Sequence, residues 1–134
     1  MTSLKAVDVA FAYHRSQPVI EGLSLDMEPG NLLALLGGNG AGKTTLLRLL
    51  AGQLRAQSGE VLLDERSIES WSRREIAKRL TLMPQFERCE NSFSVWDTVQ
   101  LGRRVHRGWC MPFNAEDLDA VERALDLADI QELR

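Results

Sequence analysis

The chain has 134 residues, 44% of them hydrophobic and 26% charged, with a formal net charge of −3. That length suits one domain with a real core, the composition is globular rather than disordered, and the acidic balance leaves no basic footprint for nucleic acid. No apolar run reaches the roughly 18 residues that would span a membrane, and Met1-Thr2-Ser3-Leu4-Lys5 lacks the apolar stretch of a signal peptide.

Residues 4–11 alternate loosely and read as a strand. Residues 20–27 (Ile-Glu-Gly-Leu-Ser-Leu-Asp-Met) alternate more clearly, as a half-exposed strand. Glu28-Pro29-Gly30 is a turn by composition. Residues 31–36, Asn-Leu-Leu-Ala-Leu-Leu, form a continuous apolar run of the buried-strand type. A glycine-rich loop follows. Thr44-Thr45-Leu46-Leu47-Arg48-Leu49-Leu50-Ala51 then reads as a short helix that Gly52 can close in a left-handed conformation. Residues 53–58 are a polar connector, Gly59-Glu60-Val61-Leu62-Leu63 a further strand, and Asp64-Glu65-Arg66-Ser67 its turn. Ser72, with Glu75 three positions on, is a capping box that opens a helix to about Arg79. Leu80-Thr81-Leu82-Met83-Pro84 is again apolar and strand-like, with Gln85 at its end.

The character then changes. Residues 86–93 are polar and irregular. Ser94-Val95-Trp96-Asp97 and Asn114-Ala115-Glu116-Asp117 both look like helix starts, with Trp109-Cys110-Met111-Pro112-Phe113 as the loop between helices. Apolar positions at Leu118, Val121, Leu125 and Leu127 or Ala128 have amphipathic helix spacing. Residues 1–86 thus mix strands and helices, and residues 94–134 are helical. The cluster Arg103, Arg104, His106, Arg107 is expected as a solvated face. His14 and His106 are expected to be exposed, and Trp96 and Trp109 to pack the helical segment. The two cysteines, Cys89 and Cys110, make no metal pattern and suit a reducing compartment.

The stretch Gly37-Gly38-Asn39-Gly40-Ala41-Gly42-Lys43-Thr44-Thr45 carries the chemistry. It fits G-x-x-x-x-G-K-[ST] and sits between an apolar run and a helix, the order a phosphate-binding loop needs. Glycines let backbone N–H groups turn inward and approach an anion closely. Lys43 adds a flexible point charge for terminal phosphates. Thr44 offers a hydroxyl to Mg²⁺, and the following helix points its positive end at the same place. Nucleoside triphosphate binding is the default reading.

In this order, Tyr13, the glycine loop, the Gly59-Glu60-Val61-Leu62-Leu63-Asp64 strand and turn, and Leu82-Met83-Pro84-Gln85 resemble the ATP-binding subunit of ATP-binding cassette (ABC) transporters. Residues 72–80 and Thr98-Val99-Gln100-Leu101-Gly102-Arg103 are similar to the branch that serves importers of iron–siderophores, haem and cobalamin. The resemblance implies an α/β P-loop NTPase core. Residues 1–86 would be an incomplete ATP-binding core with an antiparallel β subdomain, and residues 87–134 the start of the helical subdomain. The cofactors implied are ATP and Mg²⁺. Tyr13 would stack on adenine, and the loop residues Gly37, Asn39, Gly40, Ala41 and Gly42 would cradle phosphate oxygens. Lys43 would bind the β and γ phosphates, Thr44 would ligate Mg²⁺, and Thr45 would contact the α phosphate. Gln85 would be the catalytic contact to Mg²⁺ or the attacking water.

The same resemblance implies four further properties. The chain would dock on a membrane permease through the helical segment and Gln85. It would pair with a second ATP-binding subunit, depend indirectly on an external substrate-binding protein, and lie peripherally on the cytoplasmic face of the inner membrane. Two departures, Gly38 for a frequent proline and Asp64-Glu65 for Asp-Gly, remove no phosphate contact. The chain has no Leu-Ser-Gly-Gly signature, no hydrophobic Walker B strand ending in Asp-Glu, no D-loop and no switch histidine. It is therefore expected to be truncated, to bind nucleotide poorly and turn it over negligibly alone, and to leave residues 31–36 without a neighbouring strand. Two other readings stay open: a cassette ATPase without a permease, and a non-catalytic nucleotide-binding fragment of a split gene.

Overall fold

The computed structural model describes residues 2–14, 16–85, 93–107 and 110–133. The expected loop at 86–92, Cys89 and Trp109 lie outside them. The chain forms two compact units, 1–83 and 84–134.

The first unit is built on an antiparallel sheet of β1 (Leu4–His14), β2 (Gln17–Met27), β3 (Ser58–Leu63) and β4 (Arg66–Ser67), in the order β2-β1-β3-β4. Loose alternation in β1 has a structural cause. Leu4 and Ala6 are buried, Val7 and Asp8 are both exposed, and Val9 is buried again. The phase slips at a bulge where Asp8 takes φ 49. Gly59 lies against that bulge so closely that a Cβ would sit 2.2 Å from the Asp8 carbonyl oxygen. No other residue fits there.

One face of this sheet packs on helix α1 (Lys43–Leu50). Leu46, Leu49 and Leu50 form its apolar stripe and meet Leu4, Val9, Ile20, Val61, Leu63 and Ile68. Leu49 and Leu63 are wholly buried, and each such side chain contributes about 1.5–3 kcal/mol of transfer free energy. Gly52 closes α1 at φ 68, as the sequence suggests. The Asp64-Glu65 turn holds φ 51 and 59, which makes it a mirror-type hairpin turn without glycine. Helix α2 (Arg73–Ala77) starts at the Ser72–Glu75 capping box.

Residues 31–36 are not a strand. They run extended from the Glu28–Asn31 turn to the glycine loop and pair with no strand among the described residues. Leu32 and Leu36 are 98% and 92% exposed. An apolar run becomes a central strand only when neighbouring strands supply its hydrogen bonds and cover its faces. Residues 80–84 fail to form a strand for the same reason; Leu80 and Leu82 are half-buried, and Met83 is 90% exposed.

The second unit pairs α3 (Val95–Leu101) with α4 (Ala115–Ala128). Ser94–Asp97 and Asn114–Asp117 are both full capping boxes. Val121 and Leu125 form the buried stripe of α4, while Leu127 is exposed. Trp96 is half-buried, and His14 and His106 are exposed.

The arginine cluster is not a solvated face. Asp117 is 2% exposed. It accepts from Arg103 Nε and Nη2 at 3.0 and 2.9 Å and is paired with Arg107. Arg107 also donates to the Pro112 carbonyl, while Arg104 lies over the Phe113 ring, 4.3 Å from its centroid. A buried carboxylate needs such partners, and two guanidiniums supply them.

Burial opposes ionisation of Asp117, but the Asn114 amide and the two guanidiniums outweigh it and hold its carboxyl below the usual range. A depressed carboxylate stabilises the fold above its unfolded pKa of about 4 and stops doing so as pH falls through the lower folded value. Circular dichroism melts across that window should show an acid loss of stability that Asp117→Asn flattens. Exposed leucines lead to a second expectation. The apolar probe ANS should bind the chain at neutral pH, and Leu32→Ser with Leu36→Ser should cut its fluorescence by about half or more.

Candidate functional site

The glycine loop lies in the first unit, between the extended segment 31–36 and α1. Gly40 and Gly42 hold left-handed backbone at φ 83 and 84. Gly42 is the N-cap of α1. A Cβ there would meet the Val19 carbonyl oxygen at 3.0 Å and the Ile20 Cδ1 at 3.1 Å, so bare backbone wedges the helix start against β2.

The first bond into the helix is Leu46 N–H to the Gly42 carbonyl, at 2.8 Å. The N–H groups of Lys43, Thr44 and Thr45 come before it and have no intrahelical acceptor. No side chain caps them either. Inside the loop the backbone bond is Ala41 N–H to the Gly38 carbonyl, at 3.3 Å. The result, among the described residues, is a run of amides without acceptors at the positive end of a helix, where an oxyanion is favoured.

Lys43 extends back over the loop. Its Nζ donates to the carbonyls of Gly37 and Gly38 at 2.7 and 2.8 Å. These contacts park the ammonium charge at the mouth without neutralising it. Thr44 is exposed, and its hydroxyl is free for a hard cation. Thr45 is 7% exposed, and its hydroxyl lies 3.3 Å from the Tyr13 hydroxyl. Tyr13, at the end of β1, is 53% exposed and stands edge-on to Phe11, with centroids 5.0 Å apart at 90°. The Tyr13 ring is thus held by a second aromatic beside it.

The structure gathers Tyr13 and residues 37–45 into one unit. Gln85 is exposed and belongs to the second unit. Among the described residues, no group of three or more His, Cys, Asp or Glu side chains is placed to hold a metal.

One neighbour of the site escapes sequence reasoning. Gln57, read as part of a polar connector, donates its side-chain amide to the Ala12 carbonyl at 3.0 Å, immediately before Tyr13. It is 45 residues away in sequence from its acceptor, and no local pattern marks it.

Residues 20–134 match the family model described as ABC transporter. The hemin import ATP-binding protein HmuV of Pseudomonas fluorescens is 40% identical over 115 residues, which is 86% of this chain and 44% of that protein. The petrobactin import ATP-binding protein FpuC of Bacillus anthracis is 30% identical over 126 residues, 94% of this chain and 46% of that protein. An inward-facing metal-chelate-type ABC transporter superposes with a TM-score of 0.74 at 27% identity, over 98% of this chain and 46% of the solved one. The chain therefore spans less than half the length of these relatives. Its fold is that of the N-terminal part of an ATP-binding cassette, α/β with the antiparallel sheet described above.

Because Gly42 is both left-handed and tightly packed, Gly42→Ala should destabilise the first unit by about 1–3 kcal/mol. Urea unfolding followed by tryptophan fluorescence measures this directly.

Proposed function

The chain belongs to the ABC transporter family, and on that premise we propose that it forms the nucleotide-gripping part of an importer's ATP-binding subunit, with a metal chelate such as haem or an iron–siderophore as cargo. The observation that carries this reading is the set of amides at the start of α1, without acceptors among the described residues, with the Lys43 ammonium held at the Gly37 and Gly38 carbonyls of the adjoining loop. The names of the relatives support the cargo class.

In this reading the amides of Asn39, Gly40, Ala41 and Gly42 hold phosphate oxygens. Lys43 leaves the Gly37 and Gly38 carbonyls for the β and γ phosphates. Thr45 takes the α phosphate and Tyr13 stacks on adenine. Thr44, with Gln85, holds Mg²⁺, which neutralises charge between the terminal phosphates. Gln85 orients the attacking water and reports the γ phosphate to the helical residues that follow it. Residues 1–86 serve as the nucleotide core and 87–134 as the start of the helical subdomain, through which, together with Gln85, a membrane permease would be engaged. A second ATP-binding subunit completes the site, and an external binding protein delivers cargo.

Hydrolysis belongs to that assembly. In-line transfer needs phosphates, metal and a polarised water held together. The residues present here hold the first two and, through Gln85, part of the third, so the isolated chain binds ATP weakly and turns it over negligibly. No helix among the described residues is long and apolar enough to cross a membrane. A peripheral position on the cytoplasmic face, held by the permease, is the placement proposed.

Titration calorimetry with MgATP tests the reading. Lys43→Ala removes charge-assisted contacts and should weaken binding about 10- to 100-fold while the cooperative unfolding of the α1 and sheet core is retained. Equal affinity in the two proteins would contradict the assignment.

A further inference from the structure

Strand β1 outruns its partner. Its last pairing with β3 is Ala10 with Ser58, where β3 begins, yet β1 continues to His14. Gln57, just before β3, donates its backbone N–H to the Ala10 carbonyl at 2.9 Å. Carbonyls two residues apart lie on the same edge of a strand. The next acceptor on this edge is thus the Ala12 carbonyl, and no strand faces it among the described residues. The Gln57 side-chain amide fills the vacancy at 3.0 Å. One residue therefore supplies two successive rungs, the second from its side chain.

The opposite edge does not fix this stretch firmly. There β1 pairs with β2 through Ala12–Pro18 and His14–Gln17, with register shifts on both sides of Ala12. Tyr13 sits within this irregular tip. Its ring is steadied by Phe11 and its hydroxyl by Thr45, but both contacts presume that the backbone is already in place.

We propose that Gln57 is a positioning residue for Tyr13, and that the site's affinity for the base of a nucleotide depends on this amide although it touches no ligand. The proposal rests on the reading of Tyr13 as the base platform. Its chemistry is specific. Asparagine is one methylene shorter, an ionised glutamate has no proton to donate, and methionine keeps the length but carries no donor. Each should loosen the Tyr13 tip and spare the phosphate loop, whose amides are set by Gly42 and α1.

The experiment compares two probes by calorimetry, MgATP and magnesium tripolyphosphate, on the wild-type chain, Gln57→Met, Gln57→Glu and Tyr13→Ala. Tripolyphosphate reads the loop alone, and ATP reads the loop and the base platform together. Tyr13→Ala should weaken ATP by clearly more than it weakens tripolyphosphate. Gln57→Met and Gln57→Glu should reproduce this pattern at about three- to tenfold for ATP, as expected for one lost hydrogen bond. If both Gln57 variants keep wild-type ATP affinity, the proposal is overturned. It is also overturned if they lose both probes in proportion, which would make Gln57 a folding residue. The underlying reading fails differently. If the wild-type chain binds neither probe, the nucleotide site itself is wrong. If Tyr13→Ala leaves ATP binding intact, the base platform is wrong, and the role of Gln57 falls with it.

Discussion

Among the described residues the amides that open α1 have no partner, because the residue that caps the helix has no side chain to give them. Gly42 holds a left-handed backbone and touches Val19 and Ile20 directly, leaving no room for a Cβ. A serine or aspartate cap would be worth about 0.5–2 kcal/mol to the helix. That stabilisation is forgone here. The unsatisfied donors are held rigidly by the burial of Leu46, Leu49 and Leu50 on the other side of the same helix. Core packing and anion affinity are thus two faces of one element. The leucine stripe fixes the helix, and the fixed helix presents its donors without further reorganisation.

Support for the loop is unequal on its two sides. Downstream, α1 is anchored in the core. Upstream, residues 31–36 have no strand beside them among the described residues, and Leu35 of that run packs on the core. Each fully exposed leucine forgoes about 1.5–3 kcal/mol that burial would provide. Where the loop meets that segment, the Lys43 ammonium bridges the carbonyls of Gly37 and Gly38. The same charge that would meet a terminal phosphate holds the loop's weaker end in its absence. Binding of phosphate would then exchange one set of Lys43 partners for another rather than order the side chain from solution, which lowers the entropic cost of ligation.

Features carried by contiguous residues were legible in the sequence. The glycine loop opening a helix is one, since α1 starts at Lys43 directly after the left-handed Gly42. The three capping boxes at Ser72, Ser94 and Asn114 are others, because cap and N3 residue are three positions apart. Features that depend on distant partners were not legible. The apolar run at 31–36 reads as a strand, but strand formation is a property of neighbours. Arg103 and Arg107 read as surface charge because nothing local announces that Asp117, at the start of another helix, is buried and takes both. Gln57 was invisible for the same reason: its function is a hydrogen bond across 45 residues. The bulge at Asp8 lies between these cases. Its signature, two exposed residues in succession, shows in the sequence only as poor alternation, and Gly59 becomes its explanation once the strands are paired.

The most direct test is an amide titration. Two-dimensional ¹⁵N–¹H spectra of the labelled chain, recorded as MgATP is added, report each donor separately. The account requires saturable shifts that are largest at Gly40, Gly42, Lys43 and Thr44, with smaller ones at Tyr13 and Thr45. Saturation with those resonances unmoved, or shifts centred on residues outside the loop, would contradict it.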